Sequence, residues 1–127
     1  MRAILIAIGA ILASAAALIG LTTTSASAAD GPSILYSGNC TSGGYGSAWA
    51  FYFGGKVEAI DECPDGHSAV AEWKIGSSGS VSKLWNHSGA GSDPATKAVS
   101  GGTIYYRACT GEYGTKAILQ CAAWKHS

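Results

Sequence analysis

The chain has 127 residues, with eight basic and eight acidic side chains, a formal net charge of zero, 18 glycines and four cysteines. A chain of this size makes one domain with a thin core. Its even charge balance, with no basic cluster, argues against nucleic acid or an anionic membrane surface as a partner.

Residues 1–28 read as a secretory signal. Met1 and Arg2 give a basic start and residues 3–21 carry no charge. Ala26-Ser27-Ala28 then supplies the small side chains that a signal peptidase needs, which puts the cut after Ala28. The apolar run is almost long enough to span a bilayer. It is rich in Ala and Gly and has no basic stop after it, the pattern of a removed signal rather than an anchor. Removal takes away Arg2 and leaves seven basic against eight acidic residues, a net charge of −1. The expected product is secreted and extracellular, with no membrane attachment once the signal is gone.

Residues 29–39 read as an extended leader ahead of a domain at 40–127. The leader holds Asp30-Gly31-Pro32 and then a short apolar patch, Ile34, Leu35 and Tyr36, which should pack on the protein's own domain or on a partner. Residues 47–53 alternate cleanly, with Trp49, Phe51 and Phe53 on one face, and predict a strand. Gly54-Gly55 predicts a tight hairpin turn into a second strand at 56–61. Pro64-Asp65-Gly66 is a turn. Strands follow at 68–75, 81–86 and, more weakly, 96–99. After Gly101-Gly102 the β-branched and aromatic residues of 103–110 predict another strand, and 116–124 closes the domain. No helical period is present after the signal. About seven short antiparallel strands with turn signals at nearly every break give an all-β fold, a compact β-sandwich or small barrel.

An even number of cysteines in an exported chain reads as two disulfides. The absence of any C-x-x-C pair argues against a metal cluster. Three connectivities are possible. If the last two strands form a hairpin centred near Thr115, Cys109 faces Cys121 at bridging distance; Cys40 and Cys63 then pair by default.

Chemistry-bearing patterns are sparse. No serine sits in a G-x-S-x-G elbow and all four cysteines are expected to be oxidised, so no catalytic residues are assigned. Glu58, Asp61, Glu62 and Asp65 lack EF-hand spacing and read as a solvated strand end and turn. His67 and His87, with Asp65, form too loose a pattern for zinc. No metal or cofactor is expected. Trp49 and Trp73 share faces with apolar neighbours and are expected to be buried, whereas Tyr105, Tyr113 and Trp124 suit either core or surface. Asn39-Cys40-Thr41 and Asn86-His87-Ser88 match the glycosylation triplet.

Four stretches stand in a suggestive order: Asp65-Gly66-His67-Ser68-Ala69-Val70, Trp85-Asn86-His87-Ser88-Gly89-Ala90-Gly91, Tyr106-Arg107-Ala108-Cys109 and Glu112-Tyr113-Gly114-Thr115-Lys116. With Cys121 and Trp124, these resemble the small secreted β-proteins of actinomycetes, and within them the B component of the umbrella toxin particles, over most of 40–124. The resemblance implies a non-enzymatic adaptor. Such an adaptor links a lectin-bearing subunit to a large repeat-containing ring-and-stalk subunit in particles that act against competing bacteria. It also implies two disulfides on Cys40, Cys63, Cys109 and Cys121. Ile34, Leu35 and Tyr36 are then the candidate partner-binding strand, since an extended apolar segment can add to a sheet edge or lie in a cleft. Two other readings compete. A carbohydrate-binding module needs co-planar exposed aromatics beside polar loop residues such as Asn86, His87 and Asp93. An inhibitor of secreted hydrolases needs a rigid protruding loop, for which the 110–116 turn is the candidate.

Overall fold

The computed structural model describes residues 30–38, 40 and 46–127. The secretory signal at 1–28, its cleavage point, and Asn39 and Thr41 of the first glycosylation triplet lie outside the described residues. Among those described, the protein is all-β, with nine strands in two antiparallel sheets and two disulfides, Cys40–Cys63 and Cys109–Cys121. The sandwich expected from the alternating pattern is the observed architecture.

The first sheet has the order β1 (Ser33–Leu35), β2 (Ala48–Phe53), β3 (Lys56–Ile60), β6 (Ala95–Ala98). The second runs β5 (Ser82–Asn86), β4 (Ser68–Ile75), β7 (Ile104–Glu112), β8 (Ala117–Cys121), with β9 (Lys125–His126) also paired to β7. Gly54 and Gly55 join β2 to β3 with φ of 60° and 75°. Positive φ at both central residues is what a two-residue hairpin needs for its turn to follow the strand twist.

β1 and β9 have no counterpart in the seven expected strands. β1 lies within the leader: it is the edge strand of the first sheet, paired with β2 through Ser33↔Ala50, Ile34↔Trp49 and Leu35↔Ala48. The N-terminal segment is further tied to the C-terminal one. The backbone N–H of Asp30 donates to the carbonyl of His126 and the N–H of His126 donates to Asp30 Oδ2, both at 3.1 Å. The Tyr106 hydroxyl donates to the Gly31 carbonyl, and the Ser33 hydroxyl accepts from the N–H of Ala108 at 2.9 Å.

The core is built mainly from small residues. Ala48, Ala50 and Ala59 of the first sheet face Ala69, Ala71 and Ala108 of the second, and Leu35, Val57, Ile104 and Tyr106 supply the larger side chains. This fixes the sidedness of β2. Its alanines point inward, so Trp49, Phe51 and Phe53 point outward, and Trp49 is half-buried on the outer face rather than in the core. Trp73 does face inward and packs against the core, only partly covered.

The last hairpin has the expected partners. Cys109 pairs directly with Cys121, with their Cα atoms 4.1 Å apart. The turn itself is offset from the expected centre. Glu112 pairs with Ala117 and Gly111 with Ile118, and an irregularity between Thr110 and Gly111 restores the register at Gln120 and Cys121.

Candidate functional site

Two surfaces concentrate side chains that the fold does not use for its own core. The first is the outer face of the first sheet. The register places Ile34, Trp49 and Ile60 in one row across β1, β2 and β3, with Phe51 beside Glu58 and Phe53 beside Lys56 in the next rows. Trp49 and Phe51 stack with ring centroids 5.8 Å apart. Phe53 is 82% exposed. Pro32, Phe51, Phe53, Glu58 and Ile60 line a shallow groove of about 710 Å³, in which Glu58 is the one charged group. Burying such a side chain is worth about 1.5–3 kcal/mol, and contiguous exposed apolar area is uncommon on a monomer, so this stripe is a candidate interaction surface.

The leader residues divide between this face and the interior. Leu35 fills the protein's own core at 4% exposure. Ile34 is half-buried on the outer face, beside Trp49. Tyr36, just past the strand, is exposed.

The second surface is a polar cleft of about 320 Å³ at one end of the sandwich. Three segments build it: the β3–β4 connection with Asp61 and Pro64, the β5–β6 connection with His87 and Gly89, and the end of β7 with the turn after it, carrying Glu112 and Tyr113. Three of the four stretches that carry the resemblance therefore meet in one place. His67 Nδ1 pairs with Glu112 Oε1, and the Ser68 hydroxyl shares a hydrogen bond of 3.2 Å with His87 Nδ1. His87 stacks on Tyr113 at 3.9 Å, while Lys116 Nζ lies 2.8 Å from the same ring centroid. Asp61 is 2% exposed. Burial pushes its carboxyl up to about 6; the Cys63 N–H donated to Oδ1 opposes this, and Asp65 and Glu62 add to it.

The Ser68–His87 contact resembles a nucleophile beside a base, but among the described residues no carboxylate hydrogen-bonds His87 to orient it. For a metal, the gathering of ligand types among the described residues is Glu72 with Cys109 and Cys121. There the sulfurs are joined to each other in the disulfide, so they do not serve as thiolates. Asp65, His67 and His87 do not converge: Asp65 Oδ1 instead accepts the His67 N–H at 2.9 Å, closing the turn.

Asn86 is structural. Its amide nitrogen donates to the carbonyls of Ala59 and Asp93, and its oxygen accepts from the Ser88 N–H and the Ser92 hydroxyl. At 2% exposure it cannot present itself to a glycosyltransferase or to a bound glycan. The rings of Trp124 and Tyr113 are occupied from within. Trp124 lies under Lys74 Nζ at 4.5 Å and Arg107 Cζ at 4.4 Å, and Tyr113 lies between His87 and Lys116.

No protein-family model, curated protein or solved structure matches the chain. The two disulfides are compatible with an extracellular protein, and no helix among the described residues is long and apolar enough to cross a membrane.

Proposed function

We propose that this is a secreted, non-catalytic adaptor that docks an apolar segment of another secreted protein on the outer face of its first sheet. The observation that carries this reading is the stripe of Phe51 and Phe53 beside Ile60 and Pro32, with Phe53 82% exposed. Ile34 of the leader, in one row with Trp49 and Ile60, extends that surface, so the leader takes part as the margin of a sheet face rather than as a free strand. The groove's chemistry suits apolar side chains better than a sugar: Glu58 is its one charged group, whereas a glycan needs several polar groups to fix its hydroxyls. Within the resemblance to the umbrella-particle adaptor, the partners are the lectin-like and repeat-containing toxin subunits.

The test is a pull-down of the tagged, signal-free protein from the producer's culture supernatant, with mass spectrometry of what accompanies it. A Phe51→Ser/Phe53→Ser variant runs in parallel. The reading expects large repeat-containing and lectin-like secreted proteins with the native chain, lost with the variant. Recovery of the chain alone, together with retention on chitin or cell-wall glycan, would replace the adaptor by a carbohydrate-binding module.

A further inference from the structure

We infer that the polar cleft binds a single protonated amine or guanidinium group, held by the carboxylates of Asp61 and Glu112 against the His87–Tyr113 wall. The inference is independent of the adaptor reading, because the cleft and the apolar groove share no lining residue.

The cleft is built around an unanswered charge. Asp61 lines it, is almost wholly buried, and takes one backbone N–H on Oδ1; no basic side chain among the described residues pairs with it. A buried carboxylate without a counter-charge is costly, and burial raises this one from 3.8 to about 6. Glu112 brings a second carboxylate to the same lining, paired among the described residues with His67. The volume of about 320 Å³ sits at the small end for ligand sites, enough for the head of a basic side chain or a small amine.

The alternatives fit less well. A metal would need three ligand atoms close together, and these side chains do not provide them. An anion would meet two carboxylates.

Two sources carry this chemistry, a lysine or arginine of a partner protein and a free small amine. The experiment is a titration of the isotope-labelled, signal-free protein followed by amide chemical shifts at constant ionic strength. The probes are n-butylammonium, methylguanidinium and N-acetyl-lysine methylamide, with n-butanol and N-methylurea as neutral isosteres. The expected result is saturable shifts at Asp61, Ser68, His87 and Glu112 with the cations, and binding of the neutral isosteres weaker by roughly tenfold or more, the equivalent of about 1.4 kcal/mol. Asp61→Asn should weaken the cations by a similar factor, and Glu112→Gln by less. Tighter binding of the lysine derivative than of butylammonium would assign a partner's side chain; equal binding would assign a free amine. Neutral isosteres that bind as well as the cations would overturn the inference, and so would a folded Asp61→Asn protein with unchanged affinity. If that variant does not fold, the comparison of charged with neutral probes on the native chain and on Glu112→Gln decides.

Discussion

Glu72 and Arg107 are direct cross-strand partners on the outer face of the second sheet, and Arg107 donates through Nε at 3.2 Å and Nη2 at 2.9 Å to a single oxygen of Glu72. That oxygen also lies 3.3 Å from the sulfur of Cys109 and 3.2 Å from that of Cys121, so ion pair and disulfide form one cluster. Glu72 is 5% exposed. Removing its partner leaves a buried carboxylate uncompensated. Arg107→Met is therefore expected to cost about 2–3 kcal/mol, toward the low end for a broken buried pair because Arg107 is partly solvated. Adding Glu72→Gln should recover part of the loss. Urea unfolding of both single variants and the double variant measures the coupling.

Gly111 is required by packing. A Cβ there would lie 2.7 Å from Trp85 Cη2 and 2.8 Å from the Ala117 carbonyl oxygen. Gly111→Ala is expected to cost about 1–3 kcal/mol, the usual range for overpacking, and to shift the Trp85 fluorescence. Gly114→Ala is the control, since nothing lies within 4 Å of its Cβ position; its melting temperature should match the wild type.

Asp61 sets a pH dependence of stability. Its carboxyl is raised from 3.8 to about 6 in the folded state. Between those values the native protein keeps a proton that the unfolded chain has released. Stability therefore falls as pH rises through this window and stays lower above it. Asp61→Asn keeps an acceptor for the Cys63 N–H and removes the charge. It should be more stable than the wild type by on the order of 1 kcal/mol at pH 7.5 and equal to it near pH 4. An equal shift in urea midpoint at both pH values would show that the charge is not the cause.

Lys116 is in the left-handed region at φ 59°, the only non-glycine with positive φ among the described residues. That conformation costs a side chain about 1–2 kcal/mol, and the ammonium over Tyr113 returns about 0.5–1 kcal/mol. Lys116→Gly removes both and should change stability little. Lys116→Ala removes only the favourable part and should be less stable than Lys116→Gly, which thermal unfolding of the pair will show.

The strand pattern was legible because alternation reports the sheet period directly, and the Cys109–Cys121 pairing followed from counting outward along one hairpin. Alternation does not say which face is buried, and here hydrophobic bulk pointed the wrong way. The sheets pack closely over alanines, so the Trp49–Phe51–Phe53 face, which looks like core in one dimension, is the outside. Ser33–Leu35 and Lys125–His126 are too short to show a period, and only their pairing with distant strands makes them sheet. The cleft was not legible at all. His67 meets Glu112 across 45 positions of sequence, and Asp61, which reads as part of a solvated acidic turn, is buried by loops that lie far along the chain.

The two backbone-mediated links between Asp30 and His126 hold the first and last described strands' flanks side by side. A circular permutant that joins these neighbours through a short linker and opens at the exposed Gly54–Gly55 turn should keep the same sandwich with a different chain order. By the same geometry, segments attached at Asp30 and at His126 would leave the sandwich from one corner as neighbours.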